Sequence, residues 1–396
     1  MIFSKLYRYI SILIITLIFT TNSISAQKLS ERSIVSILTC SSGTEFYTAF
    51  GHTAIRVKDP IIGFDLVFNY GVFDFNAPNF YSNFIIGKPS YKLERESMRR
   101  FADYYYYFNR SIYEQKLNLP QKKRQEVYDF LQNNVLPENK SYEYDYFRNN
   151  CATKVIDVFD IILKDDLIYN YTDVNCDSGL RGLMKPYINN QMPWVKFGAD
   201  LILGWKSDIK ADPKQSTYLP EYLRDIYSNS QIDNDGKIEP FVYEARLIQP
   251  RKHELFIDIP FYIKPLFITS LLAFIVLIIS YIGFRKSRYS NLLDKTLWSV
   301  NAIIGIALLF TWLFTKHVYS VYNLNLLWLS PLAIAFLHKK VTRTRLIVRY
   351  TFIVTLTITA LGWSILPQDF NTAYYPLVII FLIRAIKHVK MFKIKQ

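Results

Sequence analysis

Acidic residues almost vanish from the last third of this chain. From Phe261 onward only Asp294 and Asp369 are negative, against 16 Lys and Arg, whereas residues 1–260 carry 31 charges of each sign. The formal net charge of +14 is therefore confined to apolar runs and the short loops between them. A nucleic-acid-binding face needs clustered cations on a folded surface, so this distribution excludes that partner and has the form of a membrane-orientation signal. Cysteine is scarce as well: Cys40, Cys151 and Cys176. No pair has metal-ligand spacing and the five histidines are scattered, so the sequence implies neither a metal nor a cofactor. An odd number of cysteines in an exported chain leaves at least one thiol unpaired.

What is present falls into three parts. Lys5 and Arg8 precede an apolar run over 10–19 and a small, polar stretch over 21–26, the order of a signal peptide cleaved near Ala26; a retained anchor is the alternative. Residues 27–255 are charge-balanced and mixed in pattern, as an exported α+β domain requires. Residues 256–396 read as an all-α transmembrane domain with spans at 265–284, 296–315, 323–338, 346–366 and 371–387. A span needs about 20 apolar residues, and the third is the shortest. Arg285, Lys286, Arg288 and Lys295 follow the first span, Lys339, Lys340, Arg343, Arg345 and Arg349 the third, and Lys387, Lys390, Lys393 and Lys395 the fifth. The other two loops hold only Lys316 and Asp369. Cations stay on the cytoplasmic side, which puts residues 27–255 outside, as the signal peptide also demands.

Two segments of the exported part carry chemistry. Phe50-Gly51-His52-Thr53-Ala54-Ile55-Arg56-Val57 reads as a strand opened by His52. In Tyr144-Asp145-Tyr146-Phe147-Arg148-Asn149-Asn150-Cys151-Ala152-Thr153-Lys154 a polar loop ends and Cys151 begins a helix. Val155, Val158, Phe159 and Ile162 form its apolar stripe, and Asn149 or Asn150 its N-cap. A cysteine in a helix's first turn lies in a positive partial field that favours thiolate, and the unpaired N–H groups there can receive an oxyanion. A nearby histidine would serve as base and then acid. Residue types alone leave other readings open. Cys151 can be a small buried hydrophobe and His52 a satisfied polar residue, while Cys40, twelve positions before His52, is a rival nucleophile. Cys176 reads as an exposed loop residue. The run Tyr104 to Tyr107 reads as a strand or a lipid-facing surface.

Longer motifs narrow these choices. Leu38-Thr39-Cys40-Ser41-Ser42-Gly43, the His52 segment, Val67-Phe68-Asn69-Tyr70-Gly71-Val72-Phe73-Asp74-Phe75 and Asn149-Asn150-Cys151-Ala152-Thr153-Lys154 resemble the periplasmic domain of Lnb-type lipoprotein N-acyltransferases. Leu219-Pro220-Glu221-Tyr222-Leu223 continues the likeness. Asn323-Leu324-Asn325-Leu326-Leu327-Trp328 and Asp369-Phe370-Asn371 resemble that family's membrane half. The sequence departs at Ser41-Ser42, where a proline is expected nearby, and at Lys154, where arginine is commoner. More distantly, the exported part resembles permuted papain-like folds of the lecithin–retinol acyltransferase kind, in which the histidine strand precedes the cysteine helix.

The resemblance implies a thiol-dependent acyltransferase of the bacterial inner membrane, multi-pass, with its catalytic domain in the periplasm. Cys151 would take an acyl chain from a membrane phospholipid as a thioester and pass it to the α-amine of a diacylglyceryl-cysteine lipoprotein. His52 would move the protons, and Asn69 or Tyr70 would orient it. Arg56, two pleats along, could hold a lipid phosphate, with Asn150 a further substrate contact. His317, Asn323, Asn325 and Asn371, at the outer ends of spans, could bind headgroups or the lipoprotein. The rival classes are an envelope cysteine amidase or peptidase and a non-catalytic lipid-binding membrane protein.

Overall fold

The computed structural model describes residues 27–253, 259–285, 291–338 and 342–391. The expected signal peptide, the boundary near residue 255 and several loop cations lie outside them. Ten strands, β1 (Ile34–Cys40), β2 (His52–Asp59), β3 (Phe64–Val72), β4 (Ser90–Ser97), β5 (Ile112–Leu117), β6 (Ser141–Glu143), β7 (Leu167–Ile168), β8 (Gln231–Asn234), β9 (Lys237–Pro240) and β10 (Val242–Gln249), make two antiparallel sheets. The larger runs β10-β5-β1-β2-β3-β4-β6 and the smaller β7-β8-β9. Seven helices accompany them: α1 (Phe80–Ile85), α2 (Met98–Tyr107), α3 (Gln121–Asn134), α4 (Cys151–Leu163), α5 (Gly179–Ile188), α6 (Pro193–Ile202) and α7 (Pro220–Asn229).

Side chains alternate across a strand, so the large sheet has two apolar faces. Val35, Ile37, Ile55, Val57 and Phe68 pack with Val155, Val158, Phe159 and Ile162 of α4, the stripe read from the sequence. Each such residue, fully buried, contributes about 1.5–3 kcal/mol. Leu38, Cys40, Ala54 and Val67 meet Phe101 and Tyr105 of α2 on the opposite face. The tyrosine run at 104–107 is thus helix, not strand: Tyr105 is buried and Tyr104, Tyr106 and Tyr107 are exposed. Ser97 accepts from Arg100 N–H at its start. A Schellman turn ends it, with Arg110 N–H donating to Tyr105 O at 2.8 Å and Asn109 in the left-handed region at φ 52°.

The C-terminal part is membrane-embedded and has five apolar helical spans. Four are α-helices: α8 (Pro265–Arg285), α9 (Asn291–Phe314), α10 (Arg343–Leu361) and α11 (Tyr375–Met391). The third, expected over 323–338, lies at Val318–Phe336. It is a chain of three 3-10 helices, Val318–Ser320, Leu324–Leu327 and Pro331–Phe336, broken where Tyr322 takes φ 54° and where Pro331 removes an N–H. Irregular backbone survives at membrane depth only when protein satisfies its polar groups. Asn301 of α9 does so from both sides, donating to Trp328 O at 2.8 Å and accepting from Ser330 N–H at 3.0 Å. Arg349 of α10 donates to Ala335 O at 2.9 Å and to His338 O. Gly305 lets the segment lie against α9, because a Cβ there would stand 2.7 Å from Ser330 backbone.

The two parts are bolted together through α6. Asn323 donates to Leu201 O at 2.8 Å and Ile202 O at 3.0 Å, and Asn325 donates to Asp200 O at 3.0 Å. Asn371 donates to the Asp200 carboxylate at 2.9 Å, which also faces buried Arg181. These asparagines were expected to meet headgroups or the lipoprotein; instead they hold the folded domain on the bundle.

Candidate active site

Asp145 folds the loop before α4 by accepting from Phe147 N–H and Arg148 N–H at 3.0 and 2.9 Å. Asn150 then closes a capping box: its Oδ1 accepts from Ala152 N–H and Thr153 N–H, and its own N–H donates to Thr153 Oγ1 at 2.8 Å. Its Nδ2 donates to Tyr146 O and Tyr218 O at 2.9 and 2.7 Å. Every polar group of Asn150 is thereby committed to structure, which corrects its expected place as a substrate contact. The cap makes Cys151 the first helical residue, partly exposed and not in a disulfide. Three backbone N–H groups face its sulfur: those of Thr53, Ala152 and Cys151 itself.

Thr53 follows His52, so β2 brings the imidazole to the same place. Gly71, at φ +90° in the irregular register that ends β3, lies between them. A Cβ built there would stand 3.3 Å from Cys151 Cβ and 3.8 Å from His52 Cε1. His52 Nε2 lies 2.6 Å from Asn69 Oδ1, and Asn69 Nδ2 faces Glu96 Oε1 at 3.5 Å. The carboxylate can only accept, which turns the amide oxygen toward the ring. Nε2 then carries the proton, and Nδ1 keeps the lone pair. Tyr70 is buried with its hydroxyl accepting from Asn134 at 2.9 Å and makes no bond to His52.

Burial pushes the Cys151 thiol up, opposed by the three N–H groups and the Arg110 guanidinium. Burial, then Arg110, pulls the His52 imidazole down to about 4, opposed by the Asn69 hydrogen bond. Both shifts favour a neutral thiol beside a neutral imidazole at rest. Cys40 pairs with His52 across β1 and β2, but it is fully buried and its thiol is pushed up to about 12 by burial. Cys176 is also buried, against Leu180 and Leu183, and not an exposed loop residue.

Arg56 is corrected too. It donates to Asp65 at 2.7 and 2.6 Å and to Glu114 at 2.7 Å, an internal network that commits Nε, Nη1 and Nη2 each to a carboxylate of the protein. His317 Nε2 meets Phe84 O at 3.1 Å and Ile85 O at 3.2 Å, so it fastens α1 to the bundle. Sequence reasoning missed Tyr105, whose ring lies 6.3 Å from the His52 ring at 22°, and Arg110, whose Cζ stands 4.6 Å over the Tyr105 ring. Among the described residues no group of three His, Cys, Asp or Glu side chains could hold a metal.

The arrangement offers a nucleophile at a capped helix start, a neutral base oriented by an amide, and backbone donors where an oxyanion would form. Two family models match the chain: the Lnb N-terminal periplasmic domain over residues 20–167 and the Lnb transmembrane domain over residues 257–396. No curated protein matches it, and no solved structure does. The first match spans His52, Asn69, Arg110 and Cys151, and the second spans the whole apolar bundle.

Proposed function

The chain belongs to the Lnb family, and from that premise we propose that it is a lipoprotein N-acyltransferase working at the periplasmic face of the inner membrane, its C-terminus in the cytoplasm. His52 Nδ1 takes the proton of Cys151. The thiolate attacks an ester carbonyl of a membrane phospholipid, and the oxyanion is met by backbone N–H groups at the start of α4. The carbon–oxygen bond breaks, the leaving alkoxide takes the proton from His52, and an acyl thioester remains on Cys151. The α-amine of a diacylglyceryl-cysteine lipoprotein then attacks that thioester. His52 accepts the amine's proton and returns it to the departing thiolate, leaving an amide. Asn69 keeps the imidazole in the tautomer these steps need. Water would divert the thioester to hydrolysis; fastening the domain to the bundle through Asp200 supports a site that opens toward lipid.

The observation that carries this reading is the sulfur of a capped helix start in contact with the backbone of the histidine strand. The test is mass spectrometry of lipoprotein N-termini in cells whose only copy carries Cys151→Ser, with peptide mapping of any acyl thioester on the purified wild type. The variant is expected to leave free amines, and the wild type to carry an acyl group on Cys151. Normal acylation in the variant removes the transferase reading. Unchanged lipoproteins with altered peptidoglycan fragments would point instead to an amidase.

A further inference from the structure

A buried charge is normally paired, because the desolvation cost is otherwise uncompensated. Three buried arginines obey this by facing carboxylates, Arg56 at Asp65 and Glu114, Arg181 at Asp200 and Asp208, and Arg384 at Asp294, and buried Arg349 in the bundle fills Nε and Nη2 with the Ala335 and His338 carbonyls. Arg110 does not. It is 3% exposed, spends one N–H on Ser41 O at 2.7 Å, stacks on Tyr105 and keeps a buried, unpartnered Nη2. Among the described residues it enters no ion pair.

Its position is built rather than incidental. The Schellman turn at Asn109 folds Arg110 back beneath Tyr105, and the Asn109 side chain locks that turn by accepting from Lys252 N–H at 2.7 Å and donating to His253 O at 2.9 Å. Ser41 adjoins Cys40, the cross-strand partner of His52, and the Tyr105 ring that Arg110 covers also faces the His52 ring. The guanidinium therefore sits within the shell of the Cys151–His52 pair. That pair is neutral at rest and supplies no counter-charge, so the missing anion arrives with a ligand.

The acceptor in the proposed reaction brings a cationic amine, which Arg110 repels. The donor brings a phosphodiester, whose oxygens match the guanidinium fork. We propose that Arg110 is the phosphate-binding residue for the acyl donor, seating the headgroup so that the ester carbonyl reaches Cys151. This rests on the acyltransferase reading above. It makes the site selective for glycerophospholipid over neutral glyceride.

Purified full-length protein in detergent micelles is offered two donors with identical chains, dioleoyl phosphatidylglycerol and dioleoylglycerol. The initial rate of thioester formation on Cys151 is read by intact mass. The wild type is expected to prefer the phosphorylated donor, and R110Q to lose at least tenfold of that preference. R110K, which keeps the charge without the fork, should lose less. A second measurement needs no turnover. A diether phosphatidylglycerol, whose chains cannot be transferred, is expected to shield Cys151 from iodoacetamide in the wild type but not in R110Q, and inorganic phosphate to shield neither. Equal slowing of both donors in R110Q, absence of shielding in the wild type, or shielding by inorganic phosphate equal to that by the lipid overturns the assignment. A wild type that takes acyl from neither donor removes the transferase reading alone, and the shielding arm still decides Arg110.

Discussion

Gly71→Ala tests the site where Cys151 and His52 approach the same stretch of backbone. The added Cβ would stand 3.3 Å from Cys151 Cβ and 3.8 Å from His52 Cε1, wedged between the two side chains. Two costs follow. Alanine at φ +90° is strained by about 1–2 kcal/mol, of which restriction of the unfolded chain returns roughly 0.5. The net is about 1 kcal/mol against a typical domain stability of roughly 5–15, so the fold survives with Tm lower by about 2–4 °C. The second cost is geometric. One carbon–carbon contact lies slightly inside ordinary van der Waals distance, so the sulfur or the ring must yield by a few tenths of an ångström. Misplacement of about 1 Å costs on the order of 10²-fold in rate, so about tenfold is expected here. The assay is the initial rate of thioester formation beside a thermal unfolding curve of the same sample. Wild-type rates from G71A would refute the claim that the reacting groups close on one another across this glycine. A Tm collapse of tens of degrees would refute the separation of fold from chemistry.

Cys40→Ala should leave the acyl group on Cys151 while lowering stability by about 1 kcal/mol through the small void it creates; loss of the thioester would instead name Cys40 as the nucleophile. The acid limb of thioester formation should lie near pH 4, not near the ordinary histidine value of 6.5, because activity requires neutral His52 and is lost as pH falls through its depressed pKa. In that window the unfolded chain binds a proton that the folded one refuses, so stability should also decline as pH drops from 6.5 toward 4, read by unfolding at each pH. Asn301→Leu should cost about 2–5 kcal/mol in detergent by stranding Trp328 O and Ser330 N–H; a variant within about 1 kcal/mol of the wild type would mean that other groups satisfy the third span.

What could be read in the sequence was local, and what could not was set by partners far along the chain. The start of α4 was legible because Asn150, Cys151 and the stripe through Ile162 state the cap, the first helical residue and the buried face within thirteen positions. The third apolar run looked like a short helix because hydropathy counts side chains and is silent on where carbonyls find donors. Asn301, 27 positions before Trp328, is what makes its irregular backbone tolerable.

The asparagines at the span ends show the same limit in its functional form. In the sequence Asn325 and Asn371 point toward a ligand, because a polar group beside a membrane span needs a partner and none stands nearby in the chain. That partner is Asp200, 125 and 171 positions away, on a short helix with nothing in its pattern to mark it. Arg110 inverts the case. A cation after a helix reads as an ordinary favourable charge near the negative end of the dipole. Its meaning appears only when the fold buries it with no carboxylate in reach, stacked on the tyrosine that faces His52. Pairing is thus what distinguishes Arg110 from Arg56 and from the asparagines. Asn150, Arg56, Asn325 and Asn371 have their bonds filled by protein and hold the frame, whereas Nη2 of Arg110 is buried without a partner beneath the tyrosine that faces His52.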